Sequence, residues 1–208
     1  MHVFIKKLLL GSSLILVSST VFSQSEVARV TLLVGKADIV RPDGSRAELR
    51  RRDPIEVGDV IQTAIDGQLQ LRFIDSAIVA LRCDTKLEIA EYDYRQSVAD
   101  RARLILHSGS LRSIAGAIAS ASSRLIVGDT QVQGGEGDFA VAIAPDDTQY
   151  FAVFDGTMTI SNSQQESKLG IGADADFGRL EPGFDFEETA QYPIQLAASS
   201  LNISDCAN

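Results

Sequence analysis

Tryptophan is absent from the 208 residues, histidine and cysteine occur twice each, and aromatic residues make up 6% of the chain. Cations are also in the minority, with 19 Lys and Arg against 28 Asp and Glu and a formal net charge of −9. Each shortage weighs against a class of chemistry. A nucleic-acid binder neutralises phosphates with clustered Lys and Arg, and this chain has the opposite sign. His2 falls in the leading segment, so His107 alone is left for a folded domain, and zinc centres and Ser-His-Asp machinery are poorly supplied. Sugar clefts commonly use tryptophan platforms, and none is available here.

The leading segment has a pattern of its own. Lys6 and Lys7 precede the apolar stretch Leu8 to Val17, which ends at the small-residue site Val21, Phe22 and Ser23. That is the layout of a secretory signal peptide over residues 1–23, with an apolar part shorter than the ~20 residues of a spanning helix. Cleavage before Gln24 and a periplasmic or secreted protein of a Gram-negative-type envelope are expected; an uncleaved anchor is the other reading. Without Lys6 and Lys7 the mature chain has 17 basic and 28 acidic residues, a net charge of −11. Such a chain is repelled by anionic lipid and nucleic acid, and no membrane insertion is expected after cleavage. An oxidising compartment permits a disulfide between Cys83 and Cys206; a buried free thiol at Cys83 is the alternative.

From Glu26 to about Gly183 the chain alternates apolar and polar residues between turn signals. Leu69, Leu71 and Phe73 share one parity, as do Val79, Leu81 and Cys83, then Leu104 and Leu106, then Phe139, Val141 and Ile143. Pro42-Asp43-Gly44, Asp66-Gly67, Ser108-Gly109 and Asp155-Gly156 punctuate them. The expectation is an all-β domain over residues 24–183, with twelve or so short strands forming a β-sandwich or a β-solenoid-like fold. Ile114 to Ser123 reads as a short helix or a loop lying on the sheet, and residues 184–208 as a tail without convincing alternation.

Several segments stand in a distinctive order: Val34-Gly35-Lys36-Ala37-Asp38-Ile39-Val40-Arg41, Val57-Gly58-Asp59-Val60-Ile61-Gln62-Thr63, Gly67 to Asp75, Leu104 to Arg112, and Val153 to Ile160. Together they resemble the FecR-type periplasmic domain. The resemblance covers about residues 30 to 183 and implies a binding or sensory domain. It also has departures. The family's Arg-Gly-Thr motif is replaced by Gly134-Gly135-Glu136-Gly137-Asp138-Phe139, and its Asp-Gly-Ser turn by Asp75-Ser76-Ala77. Sigma-linked relatives carry a cytoplasmic helical region and a membrane span before this domain, whereas an export signal precedes it here, so anti-sigma regulation by this chain alone is not expected.

No catalytic residue, metal site or cofactor is expected. The glycines around Glu136 read as a turn or bulge rather than a phosphate cradle, since a strand follows and an acid would repel the anion. The acid-rich loops at Asp146-Asp147 and Asp174 to Asp176 lack the spacing of a calcium loop and read as turns. His107 beside Ser108 and Ser110 has no placed acid and reads as structural. Two groups are singled out for partner contact, each with a plainer alternative: the basic run Arg46, Arg50, Arg51 and Arg52, otherwise a solvated loop before Asp53-Pro54, and the aromatic pair Tyr92 and Tyr94, otherwise same-face strand packing. The function expected is a non-catalytic envelope module that binds another envelope protein, by strand addition or through the arginine loop. A glycan- or cell-wall-binding module or hydrolase using Tyr92, Tyr94 and the acid loops is the alternative.

Overall fold

The computed structural model describes residues 25–134, 137–173, 176–183 and 185–189. The first part of the chain forms β1 (Glu26–Val34), β2 (Ala37–Val40), β3 (Arg46–Glu48), β4 (Pro54–Glu56), β5 (Val60–Thr63), β6 (Gln68–Phe73), β7 (Ile78–Leu81), β8 (Lys86–Asp93) and β9 (Arg101–Ile114). After a 3-10 turn at Ser120–Ser122 come β10 (Ser123–Val127), β11 (Thr130–Gly134), β12 (Asp138–Ile143), β13 (Gln149–Asp155), β14 (Thr157–Ser161), β15 (Glu166–Gly170), β16 (Phe177–Leu180) and β17 (Phe186–Glu188).

These strands make one open sheet doubled over into two layers. Sheet A runs β4, β1, β6, β7, the second half of β9, β12, β13, β16 and β17. Sheet B runs β3, β2, β5, β8, the first half of β9, β10, β11, β14 and β15. All pairings are antiparallel except β9 with β10. One apolar cluster draws on both layers, with Leu71, Val79, Leu111 and Phe151 from sheet A and Ile61, Leu87, Leu106 and Met158 from sheet B. The alternation noted in the sequence is the signature of that core: one parity of each strand faces the opposite layer.

The layers are joined where single lengths of chain bend. β1 turns into β2 at Gly35, β5 into β6 at Gly67, and β9 passes from sheet B to sheet A at Gly109. Gly109 has φ +78, and a Cβ there would stand 2.4 Å from Thr85 Oγ1 and 2.7 Å from the Asp84 carbonyl oxygen, so only glycine fits. β11, β13 and β15 bend into β12, β14 and β16 at the opposite end of the sandwich, around Gly137, Gly156 and Gly170. Splitting bent strands at these corners, and adding short edges such as β3 and β4, raises the strand number above the twelve or so expected. A three-residue edge is too short to show alternation in a sequence.

The segment after β9 crosses between the layers as a loop with a 3-10 turn. Asp75 pins it: Ala117 N donates to the Asp75 backbone oxygen (3.0 Å) and Ile118 N to its Oδ2 (3.1 Å). Among the described residues no helix is long and apolar enough to cross a membrane.

Candidate functional site: an arginine-bearing face

The turn Arg50 to Asp53 leads into edge strand β4 and is built by local bonds. Arg50 N donates to Asp53 Oδ2 (2.8 Å), and Arg52, at φ 78, donates its N–H to the Val30 oxygen (2.9 Å). Arg51 Nε reaches the Thr31 oxygen at 3.1 Å, which lays that side chain over β1. There the run meets two further arginines. Arg29 donates from Nη1 to the Arg52 oxygen (2.7 Å) and stands directly across from Arg72 on β6. Because Val30, Leu71 and Phe73 face the core, Arg29 and Arg72 point outward.

Five arginines therefore gather on one corner of sheet A. Arg29 pairs with Glu26, but no ion pair holds Arg50, Arg51, Arg52 or Arg72 among the described residues. Arg46 does not join them: it sits on β3 at the edge of sheet B and pairs with Asp38 at 2.7 Å, both ends well exposed. Sequence inspection found the run and missed Arg29 and Arg72, which lie 21 and 20 residues from Arg50 and Arg52. Only the β1–β6 register brings them in.

Tyr92 takes the packing alternative rather than the contact role. It is 8% exposed, stacks on Phe73 with ring centroids 4.4 Å apart, and donates its hydroxyl to Asp75 Oδ1 at 2.5 Å. Burial first, and then the bond to the Asp75 carboxylate, push its phenol well above the ordinary value. A ring sealed in this way has no face for a partner or a sugar. Tyr94 is partly buried and packs against the same core. The pair serves the crossing loop, since Asp75 also accepts from Ala77 N (3.0 Å) and Ile118 N (3.1 Å).

The glycine-rich loop between β11 and β12 has a steric logic. A Cβ on Gly134 would stand 2.3 Å from the Phe139 ring, and one on Gly137 would stand 2.0 Å from the Asp155 oxygen. Gly135 and Glu136 lie outside the described residues. Asp138 takes the fork of Arg112 from β9, with Nε to Oδ1 at 2.7 Å and a second bond from Nη2 to Oδ2. The pairing holds the Arg112 guanidinium above its usual range, and Arg112 also covers the Phe154 ring at 4.7 Å. No motif in the sequence announces this group, because Arg112 and Asp138 meet only across the β9–β12 register.

The other residues singled out take structural partners. Asp59 is fully buried and accepts from Glu56 N (2.7 Å) and Arg41 Nη1 (2.6 Å), and burial pushes its carboxyl above the ordinary range. Asp146 accepts from Thr148 N (3.1 Å), which holds its carboxyl below that range. His107 Nε2 lies 2.9 Å from Glu88. No group of three His, Cys, Asp or Glu is placed to hold a metal among the described residues. Cys83 is not a free thiol; Cys206 lies outside the described residues.

No family model and no curated protein matches the chain. Among solved structures, two crystal structures of a proposed anti-sigma factor from Parabacteroides distasonis ATCC 8503 are similar to it. One has 13% identity and a TM-score of 0.50, and the other 14% and 0.49. Each covers 62% of this chain, and the chain spans 58% of that protein's length. At this identity the likeness is one of fold.

Proposed function

We propose that this chain is an exported, non-catalytic envelope module with a regulatory or sensory role, which binds an acidic surface of another envelope protein through Arg29, Arg50, Arg51, Arg52 and Arg72. The observation that carries this is the gathering of four arginines without ion pairs among the described residues on one corner of a chain whose formal net charge is −9. Clustered cations on an acidic protein set both the orientation and the rate of encounter with an acidic partner. The ordered FecR-like segments and the fold shared with a proposed anti-sigma factor support a place in envelope signalling.

Strand addition is a poorer fit. The four edges carry Arg46 and Glu48, Pro54 and Glu56, Glu166 and Lys168, and Glu187 and Glu188, and charged or proline-bearing edges resist pairing with another chain. The face, rather than an edge, is the binding element.

The test is charge reversal at Arg51, Arg52 and Arg72 to Glu, with crosslinking in the periplasm as the readout. Partner crosslinks are expected to fall at least about tenfold while the melting temperature stays within a few degrees, since exposed arginines contribute little to folding. Equal crosslinking by the variant and the parent would refute the proposal.

A further inference from the structure

The arginine corner is one end of a longer row on the outer face of sheet A. Strand register sets Arg29 of β1 opposite Arg72 of β6, Arg72 opposite Ile78 of β7, Ile78 opposite Ile114 of β9, and Ile114 opposite Asp138 of β12. Val30, Leu71, Val79, Leu111 and Phe139 take the other parity and face the core, so the row faces outward. Phe154 of β13 follows the core residue Val153 and continues the row on the next strand. From β1 to β13 this is five strand spacings, about 24 Å.

The chemistry changes along that length. Beyond the arginines come Ile78, then Ile114 and Phe154, which are 42% and 37% exposed. Large apolar side chains left side by side in solvent mark a contact surface. Asp138, the acid within the row, is matched by the fork of Arg112, whose guanidinium lies on the Phe154 ring, so charge there is balanced. Beside Ile114 the crossing loop leaves a groove lined by Ala115, Ala117, Ala119 and Asp155, which gives an apolar side chain a place to enter. Asp155 is exposed and repels an acid at that end. The row therefore has a direction: acids are favoured over the arginines and apolar groups over Ile114 and Phe154.

The face also selects a backbone. β6, β7, β9 and β12 are each paired on both sides, so the row offers side chains and no backbone groups. A segment lying on it has to satisfy its own N–H and C=O groups, as a helix does. A helix of about 16 residues spans 24 Å.

We propose, building on the arginine reading above, that the row seats one amphipathic helix of the partner protein, laid across the strands, with acidic residues over Arg29, Arg72 and the Arg50 to Arg52 turn and apolar residues over Ile78, Ile114 and Phe154. The arginines orient the helix, and the apolar half holds it.

The experiment uses the full chain in the periplasm, with the photo-crosslinking residue p-benzoylphenylalanine placed at Gln70, which shares the outward parity of Arg72, or at Ile114. Both positions are expected to label one partner segment within about 16 residues, Gln70 at an acidic end and Ile114 at an apolar end. In Ile114→Gln, Phe154→Gln, and more mildly in Ile114→Gln alone, labelling from Gln70 is expected to fall, by at least about fivefold in the double variant, with the melting temperature within a few degrees of the parent. Ile65→Gln, at an exposed isoleucine in the bend between β5 and β6, is expected to leave labelling unchanged. No label from Ile114, a labelled segment without acids, or undiminished labelling from Gln70 in the double variant overturns the helix seat and leaves the arginine reading standing. Labelling that survives charge reversal at Arg51, Arg52 and Arg72 overturns both.

Discussion

The chain before β9 and the chain after it solve the same problem at opposite ends of the molecule. Both double a long sheet over a shared core, the first around Gly35, Gly67 and Gly109, the second around Gly137, Gly156 and Gly170. Their outer surfaces differ. Arg50, Arg51, Arg52 and Arg72 in the first part have no ion pair among the described residues, whereas Asp138 in the second holds Arg112 of β9, and Arg179 is held by Glu181 and Glu187. Both parts contribute strands to sheet A, and β9 is the strand that pairs with each.

Gly109→Ala is the strongest way to break that sharing. It adds a Cβ at positive φ against Thr85 and Asp84, and a loss of about 4 kcal/mol or more is expected in urea unfolding. Because β9 is common, the parent should unfold in a single transition; two separate transitions would show that the halves are independent. Asp75→Ala acts on the crossing between them. It removes the acceptor for Ala77 N, Ile118 N and the Tyr92 hydroxyl, and about 3 kcal/mol should be lost, with faster hydrogen exchange at Ile118 while Val30 in β1 keeps its protection. The smallest effect has the opposite sign. Ser76 occupies φ 75 in the exposed turn between β6 and β7, and Ser76→Gly should raise stability by about 0.5 to 1 kcal/mol in the same urea assay.

Local patterns carried much of this fold. Alternation in Gln68 to Phe73 and Phe139 to Ile143 marks strands because one parity must face a core, whereas Asp155-Gly156, a hairpin signal in the sequence, is a bend from one layer into the other: β13 pairs with β12 and β16, and β14 with β11 and β15. The Leu104 to Arg112 segment likewise shows a glycine between two strand-like stretches, which is the bend of β9. Register is not written in such patterns. Arg72 reads as one polar position among apolar ones until β1 sets Arg29 opposite it, and Tyr92 reads as one of an aromatic pair in a polar setting until Asp75 is found beneath its hydroxyl. Polar neighbours in sequence say little about a side chain whose surroundings come from 17 residues away.

The double membership of β9 also bears on the order in which the protein is made. When a ribosome has delivered residues up to Ile114, β9 can pair with β8 in one layer and with β7 in the other, but its far side is bare in both, because β10 and β12 have not yet emerged. A nascent chain in that state presents two unsatisfied strand edges on a single strand, the arrangement most inviting to another copy. Delay between β9 and β12 therefore leaves both layers open along the same strand.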